Sequence, residues 1–136
     1  MVIRAISPFA FPLNTGGHMP YMNILKQLVE RIPDSVGAIL VDWEGEAVQE
    51  YCHCAPYDIR FVAAHKGIIL ARLKELHNSG RVGLIHDVVI TASDCHLIIG
   101  CIDDDYSLVM SIGRSCPVGL ALYHFRDTVK ELQKEL

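Results

Sequence analysis

The chain has no run of Lys or Arg, and its formal net charge of −4 gives no electrostatic reason to expect nucleic acid or an acidic membrane surface as partner. No stretch approaches the roughly 18 uninterrupted apolar residues of a membrane span. Neither the Gly-x-x-x-x-Gly-Lys-Ser/Thr loop that cradles phosphates nor the dinucleotide fingerprint is present, so the chain is not expected to hydrolyse nucleotides itself. Five cysteines, an odd number without framework spacing, argue against a disulfide scaffold and for a reducing compartment. The opening residues are apolar, but Pro8 and Pro12 break them and no cleavage site follows, so cytoplasm is the expected location. Charged residues make up 21% and hydrophobic ones 51% of 136 residues, the balance of one compact domain with a real core.

Residues 1–20 carry Pro8, Pro12, Gly16, Gly17 and Pro20 and are read as an irregular extension ahead of a single domain over 21–136. Met19 and Met22 are alternative starts, and Gly17-His18-Met19 has the look of a cloning remnant. The extension is either a loose leader or an apolar segment, around Phe9 and Phe11, that docks on a partner or on its own domain.

The domain is organised around residues 36–52. Positions 36–41 form a short apolar run rich in β-branched residues, the pattern of a strand buried on both faces. Asp42-Trp43-Glu44-Gly45 supplies turn chemistry, and a more polar strand follows, so Gly37, Asp42 and Gly45 are expected to define a β-hairpin. Ahead of it, Ile24, Leu25, Leu28, Val29 and Ile32 make a helical stripe that Pro33 stops.

Behind the hairpin, Asp58 is a plausible N-cap for one long helix to about residue 77, stopped by Asn78-Ser79-Gly80. One face carries Phe61, Val62, His65, Ile68, Ile69, Leu73 and Leu76, and the next carries Ala63, Ala64, Gly67, Leu70 and Ala71. The small side chains either admit a second helix or let this one sit tightly on its own sheet. Residues 81–91 read as a third strand of roughly ten residues, against the usual five or six, with Val82, Leu84, Val88 and Ile90 on one face. A long apolar strand with an open edge is a pairing hazard unless it is used. Two more strands flank the Asp103-Asp104-Asp105 turn, and Ser115 with Pro117 opens a last helix. The expected fold is α+β: helix-strand-strand-helix-strand-strand-strand-helix, a five-stranded antiparallel sheet with the first and last helices on one face and the long middle helix on the other, a profilin-like layout.

Little here assembles into catalytic chemistry, and no cofactor is expected. Cys52-His53-Cys54 is the leading metal or redox candidate, but tetrahedral zinc needs two more ligands, and thiols at a strand end are the other reading. Cys95 and Cys101 are expected in the core. Cys116 falls in the first turn of a helix, where the dipole lowers a thiol pKa, yet no base or oxyanion site accompanies it. Asp103-Asp104-Asp105 lacks the Gly and distal Glu of a calcium loop and reads as a solvated turn.

The segments Leu28-Val29-Glu30-Arg31-Ile32-Pro33, then Val36-Gly37-Ala38-Ile39-Leu40-Val41-Asp42 with Gly45, and later Leu97-Ile98-Ile99-Gly100, Tyr106-Ser107-Leu108-Val109 and Gly119-Leu120-Ala121 occur in the order seen in the Roadblock dynein-light-chain family. From about Met22 onward the chain resembles that family. Trp43 departs from the polar residue expected in the turn, and residues 1–20 have no counterpart there. The resemblance implies a homodimer through antiparallel third strands and packed middle helices, with Ala63, Ala64, Gly67, Leu70, Ala71, Leu84, His86, Val88 and Ile90 at the interface. It also implies a non-catalytic platform of the type that binds Ras-like small GTPases. A thiol- or metal-dependent sensor using Cys52, His53 and Cys54, or a structural subunit of a larger assembly, are the alternatives.

Overall fold

The computed structural model describes residues 20–53 and 56–136. In order, the elements are α1 (Pro20–Arg31), β1 (Ser35–Asp42), β2 (Ala47–Cys52), α2 (Pro56–Ala64), α3 (Lys66–Asn78), β3 (Asp87–Thr91), β4 (Cys95–Cys101), β5 (Tyr106–Gly113) and α4 (Val118–Glu135). The five strands form one antiparallel sheet in the order β2-β1-β5-β4-β3.

The alternation of β1 explains the layers. Ala38 and Leu40 point into a cluster with Leu25 and Leu28 of α1 and Phe125 and Leu132 of α4. Ile39 and Val41 point the other way, into a smaller cluster with Ile59 and Ala63 of α2. A central strand buried on both faces must be apolar throughout, which is why 36–41 lacks the polar alternation of a one-sided sheet. The first and last helices thus share one face, and the middle helices cover the other.

Local chemistry fixes the connections. Asp42 Oδ1 accepts the backbone N–H groups of Glu44 and Glu46, both at 2.9 Å, and Gly45 has φ 87°, the left-handed value the β1–β2 turn requires. Gly37 lies inside β1 rather than in this turn. It pairs with Cys52, whose Cβ comes so near that Gly37 has no room for a side chain. Gly100 of β4 plays the same part for a helix: a Cβ there would stand 2.6 Å from Cε2 of Phe125. Asp34, at φ 61°, accepts a 2.6 Å hydrogen bond from Ser115 Oγ and a 2.7 Å bond from the Gly113 N–H to its carbonyl. That joins the α1–β1 turn to the β5–α4 turn.

Several expectations need correcting. The middle helix is two helices, α2 and α3, separated at His65 (φ −92°, ψ −2°), with Gly67 in the first turn of the second. Gly lowers helix stability by about 1 kcal/mol relative to Ala, and among the described side chains of α3 it is Ile69 and Leu70, near its start, that reach the sheet cluster. Asp58 is not an N-cap; α2 opens at Pro56 and Asp58 sits in its first turn, where its charge meets the positive helix end. Ser115 makes no cap either, because Pro117 holds that position and the Ser115 hydroxyl goes to Asp34. Cys101 is exposed and Cys95 half-buried, since each stands at an end of β4 and not at its centre.

The third strand is the largest difference. β3 has five residues, 87–91. Asp87 pairs with Gly100, and the Cys101 N–H donates to the His86 carbonyl at 3.1 Å. One step further back, the chain would face the 102–105 hairpin, so β4 has nothing left to pair with residues 81–85. A strand can be no longer than its partner permits.

Candidate functional site

β3 occupies one edge of the sheet and, among the described residues, pairs as a strand only with β4. Its Ile90 turns toward the α2 side and its Val89 toward the α4 side. The outer row of backbone groups has no strand partner within the described chain, and such an edge is a template for another strand. Just ahead of it, residues 81–86 run without regular structure, pinned by His77 Nδ1 at 3.2 Å from the Val82 carbonyl. Leu84 is 68% exposed, and Val82 and Leu76 are exposed as well. Three of the seven exposed large apolar side chains among the described residues therefore fall between 76 and 84, beside an open edge.

The expected interface residues divide accordingly. Leu84 and His86 are exposed, and Val88 and Ile90 half-buried on β3. Ala63 is buried against the chain's own β-sheet cluster, and Leu70 packs partly against it. For Ala63 the tight-sheet reading of the small residues holds. Ala64, Gly67 and Ala71 belong to α2 and α3, but their side chains lie outside the described residues.

The other candidates do not gather into a site. Cys52 ends β2, half-buried; His53 is exposed, its Nε2 3.4 Å from Glu30 Oε2; Cys54 lies outside the described residues. Among the described residues no group of three His, Cys, Asp or Glu side chains could hold a metal ion. Cys116 is buried, and burial with the nearby Asp34 carboxylate pushes its thiol pKa up, the opposite of an activated nucleophile. Asp103 Oδ1 accepts the N–H groups of Asp105 and Tyr106 at 2.8 Å, the solvated turn that the sequence indicated.

Two ion pairs were not legible in the sequence, because each joins residues far apart in the chain. Arg60 of α2 forms a bidentate pair with Glu50 of β2, both largely covered, and Arg126 of α4 forms one with Asp87 of β3 at 2.9 and 3.0 Å. The second fixes the first residue of the edge strand to the last helix.

Against known structures, this arrangement finds close counterparts. A Roadblock/LC7 domain from Streptomyces avermitilis superposes with a TM-score of 0.75 over 84% of this chain and 95% of its own, at 18% identity. MglB of Myxococcus xanthus gives 0.76 over 87% and 95%, at 14% identity. The chain has the Roadblock/LC7 fold. Acanthamoeba castellanii profilin II also superposes, at 0.58 over 85% of this chain and 98% of its own with 10% identity, which confirms the profilin-like layout. No family model and no curated relative matches the chain.

Trp43, where the sequence resemblance led to the expectation of a polar residue, lies in the β1–β2 turn. It stands 68% exposed at the tip of the β1–β2 turn, whose geometry Asp42 and Gly45 supply without it. No helix among the described residues is long and apolar enough to cross a membrane.

Proposed function

We propose that the protein is a non-catalytic, homodimeric regulator or scaffold of the cytoplasm that binds a Ras-like small GTPase and modulates its nucleotide cycle. The observation that carries this reading is the Roadblock fold itself, matched over 84% of the chain. The family resemblance in the sequence links that fold to GTPase-binding platforms. In this reading two β3 edges pair antiparallel, and the second copy supplies the partner strand that β4 is too short to offer residues 81–85. Leu84, His86, Val88 and Ile90 then line the seam, with Leu70 and the Gly67 and Ala71 positions of α3 beside it. The regulator acts by binding and reshaping the GTPase's own loops, and contributes no catalytic residue.

Native mass spectrometry at low micromolar concentration tests the assembly. Wild type should fly as a dimer and Leu84→Asp as a monomer with an unchanged circular dichroism spectrum; a monomeric wild type would overturn the paired-edge reading. The Ras-like GTPase encoded nearest to this protein, loaded with a non-hydrolysable GTP analogue, should co-elute with the dimer. Absence of both binding and altered GTP hydrolysis would defeat the regulatory reading and leave a structural subunit.

A further inference from the structure

The backbone of β3 alternates in what it offers the open edge. Its register with β4 sets Asp87 opposite Gly100 and Thr91 opposite His96. Continued by one residue each way, that register brings His86 opposite Cys101 and Ala92 opposite Cys95. Both of these pairs are hydrogen-bonded: the Cys101 N–H donates to the His86 carbonyl at 3.1 Å, and the Ala92 N–H to the Cys95 carbonyl at 2.8 Å. Bonded and non-bonded pairs alternate along an antiparallel ladder. Residues 86, 88 and 90 therefore direct their N–H and C=O groups to β4, while Asp87, Val89 and Thr91 turn theirs to the open edge. Side chains alternate too. Ile90 packs on the α2 side and Val89 on the α4 side, so His86 and Val88 share the α2 side with Ile90. A strand continued back through 81–85 sets Val82 and Leu84, 38% and 68% exposed, on that same row.

We infer that two copies pair their β3 edges about a two-fold axis at His86, perpendicular to the sheet, so that residues 87–91 of each copy lie against residues 81–85 of the other. This deepens the dimeric reading above and rests on it. The lengths match: β3 has five residues, and so has the segment before His86 that β4 leaves without a partner. In this register Leu84 faces the second copy's Val88, and Val82 faces its Ile90. Each exposed apolar side chain of one copy is thus covered by a half-buried one of the other. The backbone agrees. Asp87 meets the second copy's Ile85, and Val89 meets its Gly83, so the bonded pairs fall on the odd positions whose groups face the open edge. Neighbouring registers do worse. An axis at Asp87 sets two carboxylates directly opposite each other, which is destabilising, and leaves Val82 facing Ala92. An axis at Ile85 sets His86 against Leu84 and Ile90 against Gly80. With the axis at His86, the two imidazoles stand side by side at the centre of the seam, a non-bonded pair with Cα atoms about 4.5 Å apart.

The test is a cysteine scan of positions 84–88 in the full chain carrying Cys101→Ser, which removes the thiol opposite position 86. His86→Cys should link to its own copy under mild oxidation, since a Cα separation of about 4.5 Å is within disulfide reach. Leu84→Cys or Val88→Cys alone would lie about 13 Å from its own copy and should link several-fold less. Mixed together, those two variants should link to each other, the pairs being identified by peptide mass. Self-linking that peaks at position 84, 85, 87 or 88, or at none of the five, in a protein that native mass spectrometry shows as a dimer would overturn this register and leave the dimer standing. A monomeric wild type would overturn the register together with the dimeric reading on which it rests.

Discussion

Gly100 offers a sharp test of how α4 is seated. A Cβ at this position would meet Phe125 Cε2 at 2.6 Å and Cζ at 3.0 Å, well inside ordinary van der Waals contact, with Val129 Cγ2 at 3.6 Å. The ring cannot simply swing away, because Phe125 is fully buried between Leu25, Leu28 and the sheet. Gly100→Ala should therefore cost about 1–3 kcal/mol of overpacking. Removing a strand glycine returns about 0.5–1 kcal/mol of backbone entropy. Taking the middle of each range, the net expectation is about 1 kcal/mol less stable, or a Tm lower by about 3–5 °C for a domain of this size. Phe125→Leu supplies the control. With the ring edge gone, the added methyl has room, so Gly100→Ala should cost markedly less in that background, a coupling of about 1 kcal/mol or more. The assay is urea unfolding of the four proteins of the cycle at one fixed concentration, since self-association shifts apparent stability. A neutral Gly100→Ala, or costs that simply add, would refute the claim that this glycine exists to admit the ring.

Other perturbations probe single contacts. Glu50→Ala should lower stability by about 1–3 kcal/mol, because it leaves the largely covered Arg60 guanidinium without its acceptor, and Glu50→Gln should cost less; equal urea midpoints for wild type and Glu50→Ala would defeat it. Asp34→Ala should cost about 1–2 kcal/mol through the lost Ser115 bond and the positive φ, with Asn retaining more than Ala at that backbone angle; identical midpoints for the Ala and Asn variants would count against the φ argument. The Tyr51 phenol donates to Glu30 Oε2 at 2.6 Å, and this bond foremost raises its pKa above the ordinary tyrosine value. Its stabilisation is present in full below the unfolded pKa and is lost as pH rises through the folded one. The phenolate absorbance difference between wild type and Tyr51→Phe should thus titrate late, and Glu30→Gln should bring it earlier; the same curve in both backgrounds would exclude the bond as the cause.

What the sequence made legible was local. The α1 stripe from Ile24 to Ile32, the Asp42–Gly45 turn, the Asp103 turn and the two-sided burial of β1 all follow from periods and turn chemistry within a few residues. The failures share a different cause. Nothing in 81–91 announces that β4 ends opposite His86, so the apolar pattern of the sequence runs past the point where a partner strand exists. Ser115 has the identity of a cap, but Asp34, eighty-one positions away, takes its hydroxyl. The Glu50–Arg60 and Asp87–Arg126 pairs, likewise, are made by the sheet order and not by sequence spacing.

The two edges of the sheet show why β3, and not β2, is the edge on which to expect a second copy. β2 is irregular, its pairing with β1 shifting register between Leu40 and Val41, and its Glu50 is held by Arg60. It also lies against α1, and its Tyr51 is tied to Glu30. A bulge, a charge and a covering helix are the devices by which sheets blunt an edge. β3 has a regular register from Asp87 to Thr91, the apolar run Val88-Val89-Ile90, and exposed Leu84 just ahead of it. Its one charged residue, Asp87, is neutralised by Arg126. An edge left flat, apolar and internally charge-balanced is a ready template for another strand. Arg126→Ala should therefore weaken the proposed edge-to-edge pairing, because it leaves Asp87 as an uncompensated charge on β3. The same dimer fraction for wild type and Arg126→Ala, by native mass spectrometry at low micromolar concentration, would refute the link between that charge pair and the edge.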